Sequence, residues 1–338
     1  MSCYLTAFGA ALPERIVTNA ELAPMLGVAP EWIEMNSGIR ERRWVAAHQS
    51  ASDLATDAVK CALSRSKLKP EEIDYLIGGT LSPDYQIPGI APLVQRKLAG
   101  CRMIPALDIR AGCASILYSL QIAQGLIASK AAKNICCFGA EAQSKGLDFN
   151  PGSAEISMLF GDGAGALMIS DQPGDKLSLR LDDVLIESDG NFAENLCLRA
   201  PGTANGARWF DPEDQILPQM NGRTVILHAV RKLSEAAQNI LARNQLSIDE
   251  IDLIIPHQAN LNLLRTLGKK LAIDECRIFT NVDRYGNTGG ASAFIAFSEA
   301  REKIRYLPKA KILILAFGAG FTWGAALLTK DSYSEFQM

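Results

Sequence analysis

Several features are missing from this 338-residue sequence, and each absence excludes a class of protein. Neither sign of charge is in excess, because 34 basic residues stand against 37 acidic ones and the net charge is −3. That balance excludes the strongly basic surface that nucleic acids require. The longest apolar runs, such as residues 312–317, are too short to cross a bilayer. We expect no nucleic-acid partner and no membrane span.

Cysteine motifs are missing as well. The eight cysteines are scattered, and no two of them form a Cys-x-x-Cys pair. A zinc site or a disulfide framework is therefore not expected. The first residues are typical of a strand rather than a signal peptide, because no charged segment precedes an apolar one. We expect reduced thiols and a cytoplasmic protein.

The chain does contain an internal repeat. Residues 68–77 (LKPEEIDYLI) resemble residues 246–255 (LSIDEIDLII), and each copy follows a predicted helix, over residues 51–66 and 224–244. Each copy is followed by a second strand ending near an aspartate, Asp108 or Asp283, and then by a glycine-containing turn. That turn carries Cys113 in the first copy and Asn287 in the second.

This repeat predicts the fold. Strands that alternate with helices indicate α/β layers with mostly parallel sheets, and duplication indicates two such sheets about a pseudo-twofold axis. The apolar segment 113–130 is then a central helix between the sheets. A turn at 170–176 divides the chain into residues 1–172, which carry Cys113, and residues 173–338. Residues 189–219, rich in Gly, Asn and Pro, are expected to form a loop region.

Cys113 is the first candidate for chemistry. It falls between a buried strand and the predicted central helix, at the helix N-terminus. Unpaired N–H groups and the helix dipole stabilise a thiolate there, and a thiolate is a nucleophile. The alternative is a small buried cysteine that packs like an alanine.

His257 and Asn287 are the next candidates. His257 ends a buried strand, and sites in α/β proteins gather at the ends of parallel strands, although a structural histidine is the alternative. Asn287 lies in the turn sequence Gly-Asn-Thr-Gly, yet in the repeat it matches the position of Cys113. The glycine-rich residues 160–166 lack the order of a phosphate-binding loop, so nucleotide binding is rejected.

Eight motifs in order resemble the ketoacyl-acyl-carrier-protein synthase III family of the thiolase-like superfamily. The resemblance runs from about residue 5 to residue 328. Its motifs are WI at 32–33, GIRER at 38–42, SPDY at 82–85, GCA at 112–114, FGDGAG at 160–165, PHQAN at 256–260, DRYGNT at 283–288 and FTWG at 321–324. One such motif would be a weak signal, whereas eight in order are specific.

The resemblance implies a five-layer αβαβα fold, a homodimer and phosphopantetheine thioester substrates without a metal or redox cofactor. Cys113 would take an acyl group from a small thioester. A malonyl thioester on acyl carrier protein would then lose carbon dioxide and attack that group, giving a 3-ketoacyl product. His257 and Asn287 would donate hydrogen bonds to the enolate oxygen. The backbone of a loop would serve the acyl-transfer oxyanion, and its residues are Gly318, Ala319 and Gly320.

Binding residues are implied in the same way. In the family, Trp32 stacks on adenine, Asn260 faces the pantetheine tunnel, and the position of Ile87 forms a pocket wall that is often aromatic. The surface expected to meet the carrier protein is basic, and its residues are Lys269, Lys270 and Arg223.

Several positions depart from the family pattern. Asn36 and Ala154 stand where the family has arginines that contact the nucleotide end of coenzyme A. Asn262 replaces an arginine near the tunnel mouth, Leu227 replaces a lysine, and Ala319 replaces a central glycine of the oxyanion loop. We therefore expect a pantetheine arm presented by a carrier protein rather than by coenzyme A.

Two other functions remain open. An acyltransferase on the same fold would pass the acyl group from Cys113 to a hydroxyl or an amine without decarboxylation. An inactive partner subunit of a heterodimeric synthase is less favoured, because Cys113 is present.

Overall fold

The computed structural model describes residues 2–174, 177–199 and 218–330. Its strands are numbered along the chain as β1 Tyr4–Ala11, β2 Arg15–Thr18, β3 Glu41–Trp44, β4 Tyr75–Gly79, β5 Ala106–Ile109, β6 Asn134–Glu141, β7 Gly163–Ser170, β8 Leu179–Ser188, β9 Leu196–Cys197, β10 Gln219–Met220, β11 Leu253–Pro256, β12 Ala310–Gly318 and β13 Thr322–Lys330. Its helices are α1 Asn19–Leu26, α2 Pro30–Ser37, α3 Ala51–Arg65, α4 Ile90–Lys97, α5 Ser115–Ala128, α6 Ala154–Ser157, α7 Gly222–Arg243, α8 Leu261–Leu271, α9 Val282–Tyr285 and α10 Ser292–Tyr306.

Nine strands form one sheet in the order β11-β12-β13-β8-β1-β7-β6-β4-β5. One half of this sheet consists of the five strands that come first along the chain, β1, β4, β5, β6 and β7. The other half consists of β8 and β11–β13. The halves meet where β1 and β8 pair over only two residues, Tyr4 with Arg180 and Leu5 with Leu179. The two predicted sheets are therefore two halves of one continuous sheet.

Both faces of each half are buried, and this burial produces the layers. Along β12, Ile312 and Ile314 point into a central core shared with α5 and α10, whereas Leu313 and Leu315 point into an outer core under α7 and α8. On the other half, β4 and β6 divide their side chains between that central core and a third core under α3 and α4. Side chains that alternate with period two while staying apolar on both faces require a helix layer on each side. The result is the predicted αβαβα order.

The repeat is visible in the pairing of strands. In the first half β4 pairs in parallel with β5 and β6, and in the second half β11 pairs in parallel with β12. The counterpart of β5 is a single parallel bridge between Ile254 and Ile278. The second strand that the sequence predicts before Asp283 is thus reduced to one bridge, and Asp283 lies in α9.

The predicted element bounds need two further corrections. The central helix begins at Ser115, since Cys113 lies in a 3₁₀ turn, Gly112–Ala114, that precedes it. Within the predicted loop region 189–219 the structure has a 3₁₀ segment, Gly190–Asn195, and the short strands β9 and β10, while residues 200–217 lie outside the described residues. We propose the connection between β7 and β8 as the boundary between the halves, near the predicted residues 172 and 173. Across the described ranges, every helix is too short or too polar to cross a membrane.

The spacing between β7 and α10 depends on one glycine and yields a test of the packing. A Cβ on Gly165 would lie 2.6 Å from the backbone N of Ile295, so Gly165→Ala must push α10 from the sheet. We expect the free energy of unfolding to fall by about 1–3 kcal/mol, the usual effect of overpacking.

Gly125→Ala is the matched control in α5. A Cβ there would meet no atom within 4 Å, and replacing a helical glycine with alanine stabilises by about 0.5–1 kcal/mol. Chemical denaturation measures the free energy of unfolding of both variants. Equal stability of Gly165→Ala and wild type would contradict the close packing of β7 against α10.

Candidate active site

Cys113 lies in the turn between β5 and α5, against the end of β12. Gly112 has a φ of +54°, and its carbonyl accepts a hydrogen bond from the Ser115 hydroxyl at 2.6 Å. A Cβ on Gly318 would lie 2.9 Å from the backbone N of Cys113. The backbone at the end of β12 therefore packs directly against the backbone of the turn. Only 9% of Cys113 is exposed. The thiol is therefore enclosed but still accessible.

This enclosure reverses the effect expected from the helix N-terminus. Burial, assisted by the nearby Glu141 carboxylate, raises the pKa of Cys113 to about 12, and a backbone N–H only partly opposes the rise. Desolvation disfavours the charged form of a thiol more than the turn stabilises it. The raised pKa of Cys113 favours the thiol over the thiolate, so burial opposes the stabilisation expected from the helix N-terminus.

His257 follows β11, and two contacts fix its imidazole. Its backbone N–H donates to the Leu315 carbonyl at 2.7 Å, and its Nδ1 pairs with the Ser292 hydroxyl. That hydroxyl also accepts the N–H of Gln258 at 3.3 Å. We assign the Ser292 hydroxyl as the donor and Nδ1 as the acceptor of this hydrogen bond. The neutral imidazole then carries its own proton on Nε2. Burial lowers the pKa of His257 to about 4, so the ring is neutral at neutral pH.

Asn287 is held by its backbone and by its amide oxygen. Its N–H donates to the Leu159 carbonyl at 2.8 Å, and its own carbonyl accepts the N–H of Gly161 at 3.1 Å. Its Oδ1 accepts the N–H of Gly289 at 2.9 Å. Because the oxygen is engaged, the Nδ2 group is the end of the amide that can donate to a substrate.

The two halves bring these residues together through their turns. The turn Gly112–Ala114 packs against the 3₁₀ turn Gly289–Ala291 and against β12. Ser292, which contacts His257, is the first residue after the second turn. The three predicted residues Cys113, His257 and Asn287 are all buried in this region.

The position of Asn287 in the repeat differs from the predicted one. The turn Gly112–Ala114 leads into α5 at Ser115, as the turn Gly289–Ala291 leads into α10 at Ser292. The counterpart of Cys113 is therefore Gly290, and Asn287 lies three residues before it. The predicted match of Asn287 with Cys113 is wrong by three positions.

The predicted oxyanion loop joins β12 to β13. A Cβ on Gly112 would lie 3.6 Å from the backbone N of Ala319, which places that N–H beside the nucleophile turn. The Ala319 carbonyl is engaged by the Thr322 hydroxyl at 3.2 Å, and Gly320 has a φ of +136° that favours glycine. The loop backbone thus lies where a polarised carbonyl on Cys113 would need donors.

Asparagines join α2 to α8 at the predicted tunnel mouth. Asn260 donates to the Asn36 carbonyl at 3.1 Å, and Asn262 donates to the Met35 carbonyl at 2.9 Å. Asn36 itself donates to the carbonyl of Trp32 at 2.7 Å. The positions where the family has arginines, 36 and 262, are therefore engaged with backbone and carry no charge. Ala154, the other position that lacks a family arginine, is 6% exposed at the start of α6.

The remaining predicted binding residues lie on the surface. Lys269 and Lys270 are exposed in the last turn of α8, and Arg223 is exposed in the first turn of α7. Ile87 is 83% exposed and Tyr85 is 57% exposed in the loop between β4 and α4. Within the ranges given above, no group of three or more His, Cys, Asp and Glu side chains could hold a metal ion.

Sequence reasoning missed Glu141, Ser292 and Gly290. Glu141 is fully buried at the end of β6, and burial raises its pKa to about 7 although Ser82, Gly290 and Leu81 donate hydrogen bonds to it. The signal was present in the apolar strand ICCFGAE, which ends in a carboxylate. The repeated pattern Gly-x-Ala-Ser before both helices would have identified Gly290 and Ser292.

Known proteins resemble this chain in sequence. Residues 107–190 match the family described as 3-oxoacyl-[acyl-carrier-protein] synthase III, and residues 241–330 match its C-terminal part. Residues 14–146 also match the family described as stage V sporulation protein AD. The beta-ketoacyl-[acyl-carrier-protein] synthase III of Nitratidesulfovibrio vulgaris strain DP4 is 39% identical over 326 residues, which cover 96% of this chain and 98% of that protein.

Solved structures agree with this likeness. The 3-oxoacyl-[acyl-carrier-protein] synthase III of Aquifex aeolicus VF5 has a TM-score of 0.87 and 34% identity over 97% of this chain and 100% of its own. The priming beta-ketosynthase from the R1128 polyketide biosynthetic pathway has a TM-score of 0.86 and 25% identity over 98% of this chain and 96% of its own. The predicted thiolase-like fold is confirmed, and the chain belongs to the 3-oxoacyl-[acyl-carrier-protein] synthase III family.

Proposed function

We propose that this protein is a condensing enzyme that accepts an acyl group on Cys113 and joins it to a malonyl-derived carbanion, giving a 3-ketoacyl thioester. One observation carries the proposal. A buried thiol from the first half and neutral hydrogen-bond donors from the second half, His257 and Asn287, lie around the contact between two turns.

In the first half-reaction, the sulfur of Cys113 attacks the thioester carbonyl and the substrate thiol leaves. Because the pKa of Cys113 is about 12, its proton must leave as the bond to carbon forms, and the departing thiolate takes up a proton. Negative charge develops on the carbonyl oxygen. The backbone N–H groups of Cys113 and of the loop 318–320 are the donors that support this charge.

In the second half-reaction, a malonyl thioester loses carbon dioxide. The electron pair of the breaking carbon–carbon bond forms an enolate, whose oxygen accepts hydrogen bonds from Nε2 of His257 and Nδ2 of Asn287. A neutral imidazole suits this role, because it donates a hydrogen bond without delivering a full charge. The carbanion then attacks the acyl group on Cys113, the sulfur leaves and is reprotonated, and no metal or redox cofactor takes part.

Cys113 should be the acylated residue. Incubation with a panel of acyl thioesters should add one acyl mass to the intact wild-type protein, and Cys113→Ala should remove that adduct because the nucleophile is gone. Cys276→Ala is the matched control, since Cys276 is exposed and outside the site. An unchanged adduct on Cys113→Ala would contradict the assignment, whereas wild-type protein that takes up no acyl group would favour an inactive subunit.

His257 and Asn287 should act in the decarboxylation half. His257→Ala and Asn287→Ala should still accept an acyl group, yet release carbon dioxide from malonyl carrier protein roughly 100–1000-fold more slowly, the cost of one oxyanion donor. His48→Ala is the control, since His48 is exposed and outside the site. Wild-type rates in either site variant would refute its role. A wild-type protein that releases no carbon dioxide while acylating a hydroxyl or amine would favour the acyltransferase.

We further propose that the acyl donor is a carrier protein rather than coenzyme A. The two compounds share the pantetheine arm and differ at the nucleotide phosphates. Arginine binds phosphate through charge-assisted hydrogen bonds, each worth about 1.5–3 kcal/mol. With Asn36 and Ala154 in place of arginines, coenzyme A binding should be weaker by about two to four powers of ten. A carrier protein presents no such nucleotide and loses little.

The donor preference should appear as a higher kcat/KM for acylation of Cys113 by acyl carrier protein than by the same acyl chain on coenzyme A. Asn36→Arg should raise the coenzyme A rate selectively, by about tenfold or more for one restored contact. Asn36→Gln lengthens the side chain without adding charge and should not. Equal kcat/KM values for the two donors in the wild type would contradict this proposal.

The surface residues complete the proposal. The exposed Lys269, Lys270 and Arg223 are the basic residues to which an acidic carrier protein would bind. Ile87 and Tyr85 are large side chains exposed on one loop, and a homodimer would cover them. In that assembly Ile87 would form part of the wall of the acyl pocket.

A further inference from the structure

Glu141 is a buried acid that the mechanism above does not use. It ends β6, none of its surface is exposed, and among the residues that the structure describes only hydrogen-bond donors, no cation, counter the effect of burial on its pKa. Four hydrogen-bond donors converge on its carboxylate instead. Burying an acid without a cation costs folding free energy. We therefore ask what Glu141 contributes to the site.

The donors to Glu141 come from both halves of the chain. From the first half, the Ser82 hydroxyl donates at 2.6 Å, the Leu81 N–H at 3.1 Å and the Thr80 hydroxyl at 3.4 Å. From the second half, the N–H of Gly290 donates to Oε1 at 3.0 Å. One carboxylate therefore joins the loop after β4 to the turn that follows Asn287.

That turn is shaped around the carboxylate. A Cβ on Gly289 would lie 3.0 Å from Oε1 of Glu141, and one on Gly290 would lie 3.1 Å from the same oxygen. The Gly289 Cβ would also lie 2.2 Å from the side-chain amide of Gln143. A side chain at either position would therefore crowd the carboxylate, and the hydrogen bond from Gly290 opposes a shift of the turn away from Glu141.

The position of Gly289 in turn determines the orientation of the Asn287 amide. The Gly289 N–H donates to Oδ1 of Asn287, which decides that Nδ2 is the end of the amide available to substrate. If the glycine turn moves, this bond is lost and the amide can rotate. A displacement of about 1 Å in a reacting geometry can cost 100-fold in rate.

We propose that Glu141 is a positioning residue that holds the Gly289–Gly290 turn, and through it the amide of Asn287, for the decarboxylation half-reaction. This inference rests on the proposed function. The hydrogen bonds of Glu141 reach the turn rather than Cys113, so its removal should slow decarboxylation without slowing acylation.

The test measures both half-reactions in Glu141→Ala. Decarboxylation of malonyl carrier protein should fall by roughly 10–100-fold in kcat with little change in KM, as expected for a misplaced donor. Acylation of Cys113 should not fall, since the carboxylate charge opposes loss of the thiol proton. Glu141→Gln should keep much of the decarboxylation rate, because its amide oxygen can still accept from Gly290 while its NH2 group faces the hydroxyls of Ser82 and Thr80.

Lys330→Met is the control for lost stability. Lys330 is buried and donates to carbonyls at the far end of α10, including Ile304 at 3.0 Å and Arg305 at 2.8 Å. This variant should lower the denaturation midpoint without a selective loss of decarboxylation. If Glu141→Ala does not fold, Glu141→Asp makes the same test, because its carboxylate is one methylene short of Gly290.

The outcomes separate this inference from the proposed function. Wild-type protein that acylates Cys113 but releases no carbon dioxide would refute the condensation itself. Wild-type decarboxylation together with an unimpaired Glu141→Ala would overturn the positioning role alone. Equal losses in both half-reactions, matched by the loss in stability, would likewise overturn it and leave Glu141 a structural residue.

Discussion

The contact between two helix-starting turns, one from each half of the chain, is the constraint on which the rest of the structure depends. The turn Gly112–Ala114 meets the turn Gly289–Ala291, and the end of β12 closes on the first of them. A Cβ on Gly290 would lie 3.1 Å from the Gly112 carbonyl, and one on Gly318 would lie 2.9 Å from the Cys113 nitrogen. Because these contacts are backbone to backbone, a side chain at Gly290 or Gly318 would crowd the approach of the two turns and of the end of β12.

The residues at the same contact are buried, and burial shifts the pKa values of the titratable groups among them. Burial raises the pKa of Cys113 and lowers that of His257, so both favour the neutral form, whereas the raised pKa of Glu141, about 7, leaves a charged fraction at neutral pH. At neutral pH the resting site holds a thiol and a neutral imidazole. Charge then arrives mainly with the substrate, as a malonyl carboxylate, and develops on oxygens that fixed donors already face. Such preorganised donors need little rearrangement at the moment of reaction.

Local patterns were enough to predict the layers and the places of Cys113 and His257 in the fold. The apolar strand 253–256 placed His257 at a strand end, and the turn before the central helix held Cys113, as the structure confirms. Patterns failed where one half of the repeat had diverged. The strand expected before Asp283 is one bridge at Ile278, and Asn287 is not the counterpart of Cys113. Aligning the two halves by their strands misaligns the turns that follow. Aligning them by the Gly-x-Ala-Ser pattern before each helix would have matched the turns correctly.

The sequence by itself determined the α/β layering and the duplicated halves, because burial periods are properties of short segments. Its motifs also put forward Cys113, His257 and Asn287 as candidates for the chemistry. Only the tertiary structure decided the protonation state of Cys113, the tautomer of His257 and the environment of Glu141. Ser292 lies 35 residues from His257, and Gly290 lies 149 residues from Glu141. Desolvation and hydrogen bonding are set by such distant neighbours, which a local pattern does not contain.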